Sequence, residues 1–152
     1  MKAAVCFDGI DDAALAEAVS PAVRAFDNVE AWCAYADAAQ QLLDRIVERH
    51  HGPPQPPHRR HGPSLDEEQA QGVAARAIAL LARHGISAAA RIIKGENPER
   101  ALAEASAQDV VLVLAAGHRG GIGPRSVGHV ARFVVDHARG PVLVMRLYEP
   151  AG

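Results

Sequence analysis

Aromatic side chains are scarce in this sequence. Only six of its 152 residues are Trp, Tyr or Phe, yet 49% are apolar, so Ala, Val, Leu and Ile must supply the core. An excess of either charge is missing too. With 16 Lys and Arg against 18 Asp and Glu the net charge is −2, which gives no general attraction to nucleic acid or an anionic membrane. No apolar run is long enough to span a bilayer. The opening run Ala3-Ala4-Val5-Cys6-Phe7 stops at Asp8, too soon for the apolar region of a signal peptide. A soluble, cytoplasmic protein is expected. The two cysteines, Cys6 and Cys33, sit in apolar stretches without partner spacing, which predicts buried free thiols rather than a disulfide or a metal site.

What the sequence does contain is an alternation of short apolar runs and helical periodicities. Residues 2–7 read as a strand, and Asp11-Asp12 opens a helix with Leu15, Val19, Val23 and Phe26 on one face. Pro21 inside that stretch predicts a kink or an early end. Residues 28–35 form a second strand, and Ala38, Leu42, Leu43, Ile46 and Val47 mark a helix to about residue 50. Residues 52–63 hold five prolines and two glycines, a density that supports neither helix nor strand. This segment is expected to be a dispensable, solvent-exposed insertion in a single domain spanning 1–152. Ser64, with Glu67 three residues on, matches a capped helix start. That helix carries Val73, Ala77, Ile78 and Leu81 and ends near His84-Gly85. A third strand over 88–94, a helix from Asn97-Pro98 to about 107, a strand over 110–116, a helix over 127–137 and a strand over 142–147 complete the series. The run 110–116 is apolar throughout, as a central strand covered on both faces should be. The predicted fold is α/β, a doubly wound five-stranded parallel sheet with helices on both faces. Ligands of such sheets bind beyond the carboxyl ends of the strands where the winding reverses. That points to Asp8-Gly9 and to the glycine-rich stretch 115–129.

Several residues carry a resemblance. The segment His137-Ala138-Arg139-Gly140-Pro141-Val142-Leu143-Val144, the strand ending in Asp8-Gly9, and Gly95-Glu96-Asn97-Pro98 before the fourth strand together resemble the universal stress protein family. In that family a helix ending in His-Ala is followed by Cys-Pro-Val-Leu-Val-Val, the first strand ends in Val-Asp-Gly-Ser, and Gly-x-Pro opens the helix before strand four. The resemblance covers almost the whole chain, with Gly140 where cysteine is common and residues 52–63 as the main departure. It implies strand order 3-2-1-4-5, a regulatory or stress-response role, and a homodimer through strand 142–147. It also implies ATP or AMP, with Mg, as ligand in the nucleotide-binding branch.

That branch carries Gly-x2-Gly-x9-Gly-Ser/Thr, whose glycines let backbone amides approach phosphate and whose last pair opens a helix. Two placements exist here. Holding the spacing to Gly128 puts Ala115 and His118 on the first two glycines and His129 on the hydroxyl residue. Starting from Gly117 and Gly120 restores both glycines but leaves seven residues before Gly128. Either way His129 replaces Ser/Thr, so weakened or lost ATP binding is expected. The rival reading keeps an intact site in which Gly117, Gly120, Gly121 and Gly128 cradle phosphate, helped by His118 and Arg119. By the same resemblance Asp8 and Gly9 meet the adenosine end, with a backbone contact near Ala34; Asp8 could instead cap the following helix.

Other chemistry is less well supported. His50, His51, His58 and His61 cluster near the Pro-rich segment without a carboxylate or cysteine at reinforcing spacing, and no metal site is expected. His137 should serve the C-terminus of its own helix. After strand one there is no Ser-Gly-Gly-x-Asp-Ser loop and no Gly-x-Gly-x-x-Gly. Lys94-Gly95 ends strand three where a phospho-receiver needs aspartate, and no nucleophile triad is evident. A binding module rather than an enzyme is expected, with slow ATP hydrolysis left open; a pure protein-interaction module is the third class.

Overall fold

A computed structural model of the chain describes residues 1–36, 46, 65–116 and 127–147. Strands β1 (Lys2–Cys6), β2 (Asn28–Ala36), β3 (Ala88–Gly95), β4 (Val110–Ala115) and β5 (Val142–Met145) form one sheet. Their order is β3-β2-β1-β4-β5, and every pairing is parallel. The described helices are α1 (Asp12–Val23), α2 (Glu67–Arg83), α3 (Pro98–Ala105) and α4 (His129–His137). The doubly wound sheet predicted from the alternation is therefore present. The expected helix at 38–50 and insertion at 52–63, with His50, His51, His58 and His61, lie outside the described residues, apart from Ile46, which is helical and exposed. Among the described residues no helix is long and apolar enough to cross a membrane.

The period-two alternation of the strands sorts the core into two layers. On one face Ala3, Val5, Val29, Ala31 and Val113 pack against Leu15, Val19 and Val23 of α1 and Ala77 and Leu81 of α2. On the other, Ala4, Trp32, Ala34, Leu112 and Leu114 pack against Ala101 and Leu102 of α3 and Val134 of α4. Small residues in β1 let both layers close tightly: Ala3, Ala4 and Val5 have no exposed surface. Trp32 compensates for the shortage of aromatics on the second face. It is fully buried, its indole N–H donates to Glu30 Oε2 at 2.6 Å, and the Arg91 guanidinium lies 4.7 Å over its ring. Burial pushes the Glu30 carboxyl upward, but the bonds from Lys2 and Trp32 outweigh it and hold Glu30 below its ordinary range.

Helix ends differ in places from the sequence reading. The N-cap of α2 is Asp66, not Ser64: Asp66 accepts from the Gln69 amide while Gln69 answers the Asp66 amide, a reciprocal box two residues further on. At its other end Gly85, with φ +76°, passes the chain to Ile86, whose N–H returns to the Leu81 carbonyl. Helix α1 runs through Pro21 to Val23. Pro21 stands in the last turn, and Ser20 Oγ donates back to the Ala16 carbonyl beside it. The final strand stops at Met145, two residues short of the expected 147. At the amino ends of β4 and β5 the backbones meet: Ser106 Oγ accepts from the Arg139 amide at 2.8 Å, and a Cβ on Gly140 would lie 2.0 Å from the Ala107 carbonyl oxygen.

Candidate functional site

Winding reverses between β1 and β4, so the carboxyl ends of these strands border the site. The chain leaves β1 through a turn that carries two left-handed residues, Gly9 at φ +88° and Asp11 at φ +54°. Glycine is favoured at the first for a second reason: a Cβ there would stand 3.2 Å from Val73 Cγ2 of α2, a tight contact. Two carboxylates fix the turn. Asp8 Oδ1 accepts from the Ile10 amide at 2.8 Å, so Asp8 holds its own turn, and the N-cap position of α1 is Asp11, which makes no side-chain capping bond. Asp12, the first residue of α1, points inward. Both of its oxygens face the Gly9 amide, at 3.0 and 3.2 Å, and it is buried.

Burial, then the like charge of Asp8, pushes the Asp12 carboxyl up to about 6, against the opposing pull of the Asp8 and Gly9 amides and of Arg76 on α2. The thiol of Cys33 is pushed up to about 12 by burial and then by Asp12 and Asp8. Sequence reasoning missed Asp12. It singled out Asp8 because strand one ends there, at the switch point and in a family motif, whereas the signal for Asp12 was an acidic residue at the first position of a helix whose apolar face turns to the core. Asp12 thus takes the Gly9 amide and Asp8 the Ile10 amide, which sets two carboxylates at this turn.

On the other side of the crevice Ala115 closes β4 opposite Met145, and the Ala116 amide donates to the Met145 carbonyl at 2.8 Å. Gly117, His118, Arg119, Gly120 and Gly121 lie outside the described residues. The chain is described again from residue 127, and Gly128, at φ +85°, is the N-cap of α4, with no side-chain capping bond. His129 is the first residue of the helix. Its Nε2 stands 3.2 Å from Oε1 of Glu99, a buried carboxylate in the first turn of α3, and its ring is tilted against Phe133. His137 bonds the Phe133 carbonyl through Nδ1 at 2.8 Å, as expected for a helix C-terminus. Ala34 is buried on β2 opposite Ile93. Since the Trp32 carbonyl accepts from the Phe7 amide, alternation aims the backbone groups of Ala34 at the same side, where β1 has given way to the turn. Among the described residues no group of three or more His, Cys, Asp or Glu is placed to hold a metal ion.

No family model and no curated protein matches the sequence, but solved structures do resemble the chain. A universal stress protein from Archaeoglobus fulgidus superposes with a TM-score of 0.62 at 16% identity, covering 95% of this chain and 97% of that one. The fold is that of the universal stress proteins. A universal stress protein in complex with cAMP gives a TM-score of 0.59 at 19% identity, over 97% of this chain and 98% of its own. The Archaeoglobus fulgidus universal stress protein in complex with dAMP gives 0.55 at 14%, over 95% and 96%. These likenesses cover almost the whole chain.

Proposed function

We propose that this chain is a dimeric regulatory module of the universal stress protein kind in which adenine-nucleotide binding is weakened or lost. One observation carries the reading. Where the nucleotide-binding motif presents a hydroxyl at the head of the last helix, this chain has an imidazole tied to Glu99 of the neighbouring helix. A phosphate at that helix head would meet a bulkier ring instead of a small donor, with the Glu99 carboxylate behind it. Asp12 adds to this by taking the Gly9 amide and setting a second carboxylate beside Asp8. The same fold accommodates cAMP and dAMP in two neighbours, which supports the crevice as the place of any residual adenine-nucleotide contact, through Asp8 and the Ala34 backbone. Dimerisation through β5 is supported by its edge position and by Leu143, which is 39% exposed there. The module has no turnover of its own in this reading.

Calorimetric titration with ATP and Mg²⁺, and with AMP, tests it. Little or no heat is expected from the native chain. Binding should appear or tighten when Ala115→Gly, His118→Gly and His129→Ser rebuild the motif. Micromolar affinity in the native chain, unaffected by His129→Ala, would show that the site is intact. Light scattering at micromolar concentration should report a dimer.

A further inference from the structure

The nucleotide reading does not use Asp12, a buried acid in a turn that the fold keeps in an unusual shape. We propose that Asp12 is a positioning residue that acts as a proton-operated clamp on the Asp8–Gly9 turn, tight when ionised and slack when protonated. The geometry gives both states. Ionised, the carboxylate offers both oxygens to the Gly9 amide, at 3.0 and 3.2 Å, a charge-assisted bond worth roughly twice a neutral one. That bond holds Gly9 at φ +88° and, one residue on, the Ile10 amide where Asp8 Oδ1 takes it at 2.8 Å. Protonated, the same carboxyl keeps one good acceptor, the bond to Gly9 loses its charge assistance, and the turn is held by that weaker bond and by Asp8.

The surroundings decide which state is costly. Asp12 is buried, with 7% of its surface exposed. Asp8 faces it from the turn, Arg76 from α2 and Cys33 from β2. Burial and Asp8 favour the proton, Arg76 and the two turn amides oppose it, and the balance falls near pH 6. Cys33 holds its proton throughout this range and adds no charge. The fold as a whole therefore prefers the proton that the turn's own hydrogen bonding resists, and the turn changes tension within the range where a cell acidifies. Protonation also removes the negative charge beside Asp8, so an anionic ligand would meet a less repulsive but looser turn. That last consequence rests on the nucleotide reading, whereas the clamp does not.

The test uses the full chain without nucleotide. The Asp12 side-chain carboxyl carbon and the Gly9 amide are followed by NMR from about pH 4.5 to 8. Both should titrate with a common midpoint near 6, the Gly9 proton moving upfield as the pH falls. Asp12→Asn should abolish the Gly9 inflection, and Asp8→Asn should move the midpoint to lower pH by removing the like charge. An Asp12 carboxyl that titrates in the ordinary carboxylate range would overturn the clamp. So would a Gly9 amide that stays still through the Asp12 midpoint, or that keeps its inflection in the Asp12→Asn chain. The wild-type carboxyl titration decides the matter even if Asp12→Asn does not fold.

Discussion

The site has two rims, each with a titratable side chain at the head of a helix, and they are built in opposite ways. At the β1–α1 turn the hydrogen bonds are local: Asp12 takes the Gly9 amide and Asp8 the Ile10 amide, all within five consecutive residues. At the head of α4 the side chain is held from afar, His129 by a carboxylate thirty positions earlier on α3. The first rim carries its geometry in its own backbone. The second takes its geometry from helix packing, so anything that moves α3 moves it. This difference teaches where each rim is vulnerable.

The largest effect is expected at the borrowed rim. A Cβ on Gly95 would lie 2.6 Å from Ala101 Cβ and 3.0 Å from its Cα, so Gly95→Ala must push α3 away from the sheet and Glu99 with it. Overpacking of this kind should cost about 3 kcal/mol, a fall in Tm on the order of 10 °C. An unchanged Tm would mean that α3 is free to slide and that the second rim is not rigidly placed. Asp12→Asn should act in the other direction. A carboxyl whose folded pKa is raised from 3.8 to about 6 contributes most below 3.8 and loses that contribution as the pH rises through 6. Removing the charge should therefore stabilise the protein by about 2 kcal/mol at pH 7.5 and by almost nothing near pH 4. Thermal melts at both pH values check the sign; destabilisation at pH 7.5 would make the ionised clamp essential to the fold. Gly9→Ala should cost about 1–2 kcal/mol, for a left-handed backbone and contact with Val73. That loss should stay local: the α3 and α4 resonances in an NMR spectrum are expected not to move, and their movement would deny that the first rim is self-contained. Smallest is His129→Ala. The pair with Glu99 is half-exposed on the histidine side, and its loss should cost about 0.5 kcal/mol, seen as a shift of a degree or two in Tm.

The same division explains what could be read from the sequence. The strand order came from the family resemblance, whereas the alternation of strands and helices, the helices on both faces and the buried thiols follow from periodicities and breakers that act within ten or so residues. So did Asp8-Gly9, where a strand meets a turn. The α2 cap was placed two residues early because Ser64-x-x-Glu67 and Asp66-x-x-Gln69 both satisfy the capping pattern, and only the direction of the chain entering the helix separates them. Pro21 was read as a kink or an early end, and the helix ends two residues after it, at Val23 and before Phe26. The Glu99–His129 contact left no local trace, because nothing in either stretch announces the other. Asp12 was legible only as an acid in a first helical turn; nothing in that pattern says that its side chain turns inward to the Gly9 amide.

The two cysteines have a further use. Gly140 cannot take a third, since its Cβ would collide with the Ala107 carbonyl, and the two that exist are Cys6, with 9% of its surface exposed, and Cys33, with none. Burial raises both thiols, and a thiol that keeps its proton is a poor nucleophile. The native molecule therefore offers oxidants and alkylating reagents almost no sulfur, while the opened chain offers two. The rate at which a maleimide consumes Cys33 becomes a clock for the opening of the sheet around β2, read without a dye or a mutation.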